Sequence, residues 1–354
     1  RWIRRQKQDG TTGIIRKRFP RIERSGPALG RSFDFRKSGS MNKITIIGTG
    51  SVGSTIAYTL TVTGLASEIV MIDLNNERAV GEALDIQQGT PFCSSCSVYA
   101  GSYRDTVGSN IVIITCGIAR KPGQTRLDLA QTNVNIIKTI IPEITRYAPD
   151  ANYIIVSNPV DILTYTFCKR SGLMENQIIG SGTILDTARL RARLSEYYKI
   201  NQQNVHAYVM GEHGDTSFVP WSVANISNVP MEECQHSILS MGREIPPLDF
   251  AEVEQYVRKS GARVIERKGA TFYAVSVSVC HICQCLLSGI DTTMTVSTMM
   301  HGEYGISDIC LSILNVVGSE GAHGRILLPL TDTEISQLHK SAESLQAVID
   351  GLDI

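Results

Sequence analysis

A short glycine-rich segment near residue 50 constrains the fold of this chain more than any other feature. It reads GTGSVG, and it places Gly48, Gly50 and Gly53 directly after the apolar run KITII. The stretch that follows, SVGSTIAYTLTVTG, has apolar residues at helical spacing, and Gly64 is suited to end that helix. Glycines between a strand and a helix allow a tight turn and let the backbone approach a pyrophosphate at the helix N-terminus. The segment therefore predicts a dinucleotide-binding turn.

Strand and helix patterns alternate along the first half of the chain. Buried-strand runs such as EIVMID, NIVIITCG and YIIVSNP alternate with helical stretches such as NNERAVGEALDIQQG and LDLAQTNVNIIKTIIPEITRYA. This alternation is typical of an α/β fold with a parallel, doubly wound sheet. We predict such a domain over residues 41–184.

A carboxylate placed 20 residues beyond Gly53 indicates which dinucleotide binds. Asp73 closes the second predicted strand, where a carboxylate accepts hydrogen bonds from a ribose diol and repels a 2′-phosphate. NAD is therefore favoured over NADP, although a structural glycine turn with a chance acid is the alternative. Besides Asp73, the residues expected to contact the cofactor are Gly48, Gly50, Ser51, Val52 and Gly53.

Beyond about residue 160 the pattern becomes mixed. The helical stretch TARLRARLSEYYK precedes NVHAYVMG and FVPWSVANI, which we expect to be strands. Apolar residues recur at helical spacing in ISQLHKSAESLQAVID, so the last helix is expected to pack back on the body of the protein. We predict a second, α+β domain over residues 185–354.

Charge is distributed unevenly about residue 40. Residues 1–40 contain 12 Lys and Arg but only 3 Asp and Glu, while the whole chain contains 34 of each class. No periodic apolar stripe runs through them, so we expect a basic, unstructured extension. A nucleic-acid arm and an Arg-rich transit peptide are alternatives. Because Met41 directly precedes the first strand, we favour an extension upstream of the functional protein and expect no nucleic-acid partner.

Composition narrows the class of protein and its compartment. The chain is 42% hydrophobic and 19% charged, and no apolar run approaches the ~20 residues that a membrane helix needs. Nine cysteines in a chain of 354 residues do not resemble the disulfide framework of a short secreted domain. We predict a protein of the cytoplasm with no membrane partner.

Two cysteine clusters raise the question of a metal site. Cys93 and Cys96 form a CxxC motif, and a second cluster, CHICQC, runs from Cys280 to Cys285. The first cluster has no paired motif, and the second lies in an apolar segment where small Cys side chains pack well. We therefore predict no metal.

Three polar clusters in otherwise apolar sequence carry the strongest functional signal. They are NPVD, SGTILDTARLR and GEHGDTSFVPWS. With these motifs in this order, the chain resembles the L-lactate and L-malate dehydrogenase family from about Met41 to the C-terminus, and it is closest to the bacterial L-lactate enzymes. The resemblance implies an N-terminal Rossmann domain, a C-terminal catalytic domain, NAD as cofactor and a homotetramer.

The resemblance also implies an acid–base pair. His213 of GEHGD is then the proton donor and acceptor, and Asp186 of LDTAR is its carboxylate partner. The chemistry agrees, because hydride transfer to a ketone builds alkoxide character on oxygen, and a protonated imidazole can deliver the proton there. A buried Asp raises the imidazole pKa and fixes the ring.

Three further residues are expected to hold the substrate. Arg189, one helical turn after Asp186, has a planar fork suited to a bidentate grip on a carboxylate. By the resemblance, Arg126 polarises the substrate carbonyl from a mobile flap that contains GIARKPGQTRLDL. Asn158 of SNPVD is similar to the family's asparagine that contacts the carbonyl and the nicotinamide region.

Two positions bear on the choice of substrate, and they disagree. Arg120 lies where lactate enzymes typically carry Gln and malate enzymes carry Arg to pair with a second carboxylate. Thr271 of KGATFY matches the lactate type, as do the segments QQGTPF, NPVDILTY and TRLDL. An Arg buried against the methyl of pyruvate would lack a partner, whereas an Arg turned to solvent would cost little. We predict reversible NADH-dependent reduction of pyruvate to L-lactate, with L-malate dehydrogenase as the alternative.

Two basic residues suggest regulation. Arg191 and His206 match the positions at which similar bacterial lactate dehydrogenases bind fructose 1,6-bisphosphate across a subunit interface, although each alone could be a surface charge. Two chains would together supply the positive charge that a bisphosphate needs. A non-catalytic NAD-binding protein is the alternative from another class, and the intact His213, Asp186, Arg189 and Arg126 argue against it.

Overall fold

The structure is a computed structural model that describes residues 42–118, 125–238 and 245–354. The predicted basic extension, residues 1–40, and the specificity position Arg120 lie outside these ranges.

A parallel sheet forms the first half of the described chain. Its six strands lie in the order β3–β2–β1–β4–β5–β6, and every neighbouring pair is parallel. The order reverses between β1 and β4, which is the point where the carboxyl ends of strands in such sheets form a ligand crevice. The doubly wound fold predicted from the sequence is therefore confirmed. The strands are β1 Lys43–Ile47, β2 Glu68–Ile72, β3 Ser97–Ala100, β4 Ile111–Ile114, β5 Asn152–Ile155 and β6 Ile178–Gly180.

Helices connect β1 to β2 and β4 to β5 as the alternating pattern predicted, whereas β3 and β6 are strands that the pattern did not name. The first helix begins directly after the glycine turn, and Gly64 ends it in the left-handed conformation with φ 67°, a conformation that glycine adopts without steric cost. The third helix is preceded by Thr125, whose side chain accepts a hydrogen bond from the Asp128 amide. The helices are α1 Ser51–Thr63, α2 Asn76–Gly89, α3 Arg126–Tyr147 and α4 Val160–Ser171.

The second half of the chain extends the same sheet with antiparallel strands. Ser297 of the next long strand pairs with Gly180 of β6, and a hairpin and a short third strand follow. The helices are α5 Ile184–Tyr198, α6 Met231–Ser237, α7 Phe250–Lys268, α8 Tyr273–Leu287 and α9 Asp332–Ile349. The strands are β7 Val205–His206, β8 Asn225–Ile226, β9 Val229–Pro230, β10 Thr292–His301, β11 Ser307–Gly318 and β12 Gly321–Arg325.

The expectation of strands at NVHAYVMG and FVPWSVANI is largely wrong. Only the two residues of β7 and the two of β8 pair as strands, and Met210 and Phe218 form an isolated bridge. The backbone between them bonds elsewhere: the amide of Val209 donates to Thr187 Oγ1, and that of Gly211 donates to Ser312 O. The two segments therefore meet in the small β7–β8–β9 sheet and at the Met210–Phe218 bridge, and they carry the loop between them.

The cysteine-rich segment forms α8, which packs on α1. Cys280, Cys283 and Cys285 are all buried in one apolar cluster with Ile56 and Leu60. Within the described ranges, no three His, Cys, Asp or Glu side chains are grouped so that they could hold a metal ion. In the same ranges, no helix is both long and apolar enough to span a membrane.

The tightest point of the glycine turn yields a stability prediction. A Cβ added at Gly53 would lie 1.9 Å from Gly48 O, so the backbone would have to shift. We expect Gly53→Ala to lower the free energy of unfolding by roughly 1–3 kcal/mol, as overpacking usually does. Gly81→Ala is the matched control, because Gly81 lies within α2 and an added Cβ there meets no atom within 4 Å.

Chemical denaturation of the two variants and the parent measures both effects. Gly81→Ala should be neutral or more stable than the parent, since Ala is the better helix former. Equal stability of Gly53→Ala and the parent would contradict the crowding at this turn.

Candidate active site

The glycine turn is built to bring backbone close to a bound group. Gly48, at φ 98°, lies so near the backbone that follows β4 that a Cβ would come 2.6 Å from Cys116 N, while a Cβ at Gly50 would meet no atom within 4 Å. No described side chain caps the N-terminus of α1, so its first amides stay available to an anion. The turn is thus closed toward the sheet and open at Gly50, which fits the pyrophosphate of a dinucleotide.

Asp73 lies at the end of β2, beside this turn. Its Oδ2 accepts hydrogen bonds from the Thr49 amide at 2.6 Å and from Thr49 Oγ1 at 3.0 Å, and its Oδ1 accepts from the Asn75 amide at 2.9 Å. Partial burial alone would raise the pKa of Asp73, but these donors lower it below its usual value. The carboxylate is therefore ionised and fixed at the position where the ribose diol of NAD is expected.

His213 and Asp186 meet at the other end of the site. His213 Nδ1 lies 2.6 Å from Asp186 Oδ2, and Asp186 is only 6% exposed. His213 lies in a loop, residues 211–217, that we call the histidine loop, whereas Asp186 lies in the first turn of α5. The structure therefore brings together the two residues that the sequence predicts as an acid–base pair.

Arg189 completes a charged triad with this pair. Its Nη1 donates to Asp186 Oδ1 at 2.8 Å, so each carboxylate oxygen has one cationic or ionisable partner. The terminal guanidinium nitrogens lie beside α7, where a Cβ added at Gly261 would be 3.6 Å from Nη2. Glycine at this position leaves room beside the guanidinium.

The contacts within the triad shift the pKa values of Asp186 and His213 in opposite directions. Burial alone would raise the pKa of Asp186, but His213 and Arg189 lower it below the ordinary value. Burial alone would lower the pKa of His213, but Asp186, with a smaller effect from Asp161, raises it above the ordinary value. The site therefore favours an ionised carboxylate beside a protonated imidazole, which is an arrangement able to donate a proton.

One cavity joins the glycine turn to the triad. Its volume is about 580 Å³, which is within the usual range for small-ligand and cofactor sites. Four of the residues predicted to bind substrate or cofactor line it, together with the triad's carboxylate: Val52, Asn158, Arg189, Thr271 and Asp186. His213 also lines it.

The structure describes only part of the predicted flap segment GIARKPGQTRLDL. Arg126 is the first residue of α3, and the placement of its side chain lies outside the description, as does Arg120 altogether. Ser51 is the exposed first residue of α1.

The predicted effector residues lie apart from the cavity. Arg191 Nε donates to Ala207 O at 3.0 Å, and its guanidinium lies 5.1 Å from the Tyr208 ring centroid. His206 is exposed on β7, one residue before that carbonyl. Burial lowers the pKa of Arg191.

Two residues that sequence reasoning missed support the cavity. Asn133, buried on α3, donates from Nδ2 to Asn158 O at 2.7 Å and accepts from the Ile118 amide at 2.9 Å. Arg258 of α7 donates to Ser217 O at 2.7 Å and lines the cavity. Asn133 could have been found from the sequence, because it is a polar residue on the apolar face of a helix. No sequence pattern indicates that Arg258 bonds to a distant loop.

Family models match nearly all of the described chain. The model for the lactate/malate dehydrogenase NAD binding domain matches residues 42–180, and that for the lactate/malate dehydrogenase alpha/beta C-terminal domain matches residues 183–352. The chain belongs to the lactate/malate dehydrogenase family. The predicted NAD-dependent oxidoreductase, with NAD as cofactor, is thereby confirmed.

Curated relatives divide this family further. The L-lactate dehydrogenase of Acetivibrio thermocellus is 44% identical over 318 residues, which cover 89% of this chain and 98% of the relative. That of Thermoanaerobacterium saccharolyticum is 44% identical over 315 residues, which cover 89% of this chain and all of the relative. They confirm the predicted function, L-lactate dehydrogenase, and do not favour the malate alternative.

Solved structures agree with this assignment. A lactate dehydrogenase enzyme from a Medee basin deep-sea metagenome library superposes with a TM-score of 0.84 at 36% identity, covering 88% of this chain and 98% of the other. The minor L-lactate dehydrogenase from Enterococcus mundtii gives 0.83 at 36% identity, covering 88% and 99%. The mixed second half predicted from the sequence is therefore part of the family fold.

Proposed function

We propose that this cavity reduces pyruvate to L-lactate, and oxidises L-lactate in reverse, with His213 as the group that gives and takes the proton. The observation that carries the proposal is the triad, in which one buried carboxylate holds both the imidazole and a guanidinium. The reaction takes up one proton for each ketone reduced, so a group that holds a proton at the carbonyl oxygen is required. Bound NADH supplies the hydride.

Each member of the triad has a separate task in this mechanism. Asp186 accepts a hydrogen bond from His213 Nδ1, which leaves Nε2 to donate to the ketone oxygen. Arg189 holds the substrate carboxylate through guanidinium nitrogens that Asp186 does not use. A small 2-keto acid is thereby held at both ends before the hydride arrives.

The rest of the cavity orients the substrate and excludes water. Asn158, at the carboxyl end of β5, is proposed to contact the carbonyl and the nicotinamide region. Arg126 of the flap is proposed to polarise the carbonyl when the flap closes. Thr271 fills the wall beside the methyl group and limits the size of the ketoacid.

The cofactor contacts follow from the turn and from Asp73. Gly48, whose amide donates to Ile72 O, is proposed to shape the tight turn. The amides of Gly50 and Gly53 are proposed to bind the pyrophosphate, with Ser51 and Val52 beginning the helix behind it. Asp73 is proposed to bind the ribose diol. We propose residues 41–184 as the NAD-binding domain and residues 185–354 as the catalytic domain.

The choice between ketoacids is tested by comparing pyruvate and oxaloacetate. We expect the parent to have the higher kcat/KM for pyruvate, with measurable oxaloacetate reduction that Arg120→Gln lowers by roughly tenfold or more, because the variant removes a partner for the second carboxylate. Arg104→Gln, a change to an exposed side chain between β3 and β4, is the matched control and should leave both values unchanged.

A parent that prefers oxaloacetate, and that Arg120→Gln converts to a pyruvate enzyme, would contradict the proposal in favour of malate. A parent that binds NADH but reduces neither ketoacid would instead indicate a non-catalytic NAD-binding protein.

We further propose a homotetramer activated by fructose 1,6-bisphosphate through Arg191 and His206. The support is that Arg191 is held against the carbonyl of Ala207, the residue after His206, so both basic groups belong to one small region. An effector that prefers one state of the assembly shifts the population toward it.

Pyruvate saturation curves and sedimentation velocity, each with and without the effector, test this regulation. The curves should move to lower concentration in the parent but not in Arg191→Gln, while Arg193→Gln on the same helix should respond like the parent. Coincident curves in the parent would rule out the effector site, and a monomer in both conditions would rule out the tetramer.

We also propose that the enzyme works in the cytoplasm. All nine cysteines are free thiols in the structure, which suits a reducing compartment. Pyruvate-reducing activity should then appear in the soluble cytoplasmic fraction of cells that express the chain, and its recovery from another compartment would contradict the proposal.

A further inference from the structure

A second buried carboxylate lies behind the histidine loop and has no task in the mechanism above. Asp161 belongs to the NPVD motif and is the second residue of α4. It is 4% exposed and does not line the cavity. A buried carboxylate is costly unless it is paired, so its contacts need an explanation.

The contacts of Asp161 lead to His213. Its Oδ2 accepts the hydrogen bond of the His213 main-chain amide at 2.7 Å. Its Oδ1 is buried without a hydrogen-bond partner among the described residues, and so is Ser297 Oγ, which lies against this carboxylate from β10. Asp161 therefore makes one strong contact, to the backbone of the loop that carries the imidazole.

Ser297, which lies against the Asp161 carboxylate, is itself closely packed. A Cβ added at Gly180 would lie 2.9 Å from Ser297 Cβ and 2.3 Å from Thr164 Oγ1. A Cβ at Gly182 would lie 2.7 Å from the Ser297 amide. β6, β10 and α4 therefore meet around Ser297 without spare room, so Ser297 is held close to the carboxylate.

We propose that Asp161 is a positioning residue for the acid–base reaction: it anchors the His213 backbone, and its negative charge favours the protonated imidazole. This inference rests on the proposed role of His213 in proton transfer. Asp186 then acts on the ring and Asp161 on the main chain, so two carboxylates on separate helices flank one histidine.

The charges around the two groups determine the sign of the effect. Asp186 and Asp161 raise the pKa of His213 against its burial, and Arg189 lowers it. Around Asp161, burial raises the pKa to about 6, and Glu212 adds to that, while Ser297 and His213 lower it; the Cys310 thiol of β11 also faces it. Asp161 is thus ionised above about pH 6, where it holds a proton on His213.

Asp161→Asn removes the charge but keeps an oxygen that can accept the His213 amide. The imidazole should then lose its proton at lower pH, so the fall of kcat/KM for pyruvate with rising pH should begin about one pH unit earlier. Above both midpoints the variant should be about tenfold slower than the parent, with NADH binding unchanged. Glu334→Gln is the matched control, because Glu334 is a buried, hydrogen-bonded carboxylate on α9 outside the cavity.

Ser297→Ala gives a second reading that leaves both hydrogen bonds of His213 in place. Without the hydroxyl, the pKa of Asp161 should rise, so less negative charge lies beside His213. The His213 midpoint should therefore move to lower pH, as in Asp161→Asn but by a smaller amount. If Asp161→Asn does not fold, as judged by NADH binding, this variant decides the question. Midpoints equal to that of the parent in the folded variants would overturn the inference.

Proton NMR titration of the His213 ring separates the two proposals. This titration measures the His213 pKa directly and requires neither substrate nor turnover. A parent that does not reduce pyruvate, yet whose His213 pKa falls in Asp161→Asn, would contradict the proposed function while supporting the positioning role. An active parent with an unshifted His213 would overturn the positioning role alone.

Discussion

The hydrogen bond between Asp186 and His213 is the contact on which the rest of the site depends. A carboxylate that is 6% exposed is stable only when its charge is balanced, and here an imidazole and a guanidinium balance it. Asp186 also lies in the first turn of α5, where the helix dipole favours a negative charge. One carboxylate therefore fixes the orientation of the proposed proton donor and of the residue proposed to hold the substrate.

Three elements, β11, α9 and α4, hold the histidine loop in reach of this carboxylate. The Gly211 amide donates to Ser312 O on β11, and the Glu212 amide donates to Ser341 Oγ on α9. Asp161 holds the next amide, that of His213. Three consecutive amides of the loop are thus bound by three different elements, which explains why a loop residue can be placed with the accuracy that proton transfer requires.

The first half of the fold could be predicted because its signals are local. The glycine turn, the buried strand runs and the carboxylate at Asp73 follow one another at spacings that the parallel fold requires, and the structure reproduces them. The motifs around Asp186 and His213 likewise predicted the two residues that form the hydrogen bond, since each motif is a short continuous segment that can be recognised by itself.

The parts that could not be predicted depend on contacts between distant segments. The expected strands around the histidine loop are reduced to short pairings, because the amides of Val209 and Gly211 bond to Thr187 and Ser312 and not across to the other segment. Asp161 stood within a recognised motif, but its contact with the His213 amide joins residues 52 positions apart. Periodicity and spacing indicate which secondary structure a segment can form. They do not indicate which distant residue will form hydrogen bonds with its backbone.

The pH dependence of pyruvate reduction in the parent and in His213→Gln tests the central claim most directly. Because the pKa of His213 is raised and reduction needs its protonated form, kcat/KM should be constant at low pH and fall as pH rises through that pKa. His213→Gln should still bind NADH, lose roughly 10²–10⁴-fold in rate and show no such fall. A variant that kept both the rate and the fall would place the proton donor elsewhere and contradict the account.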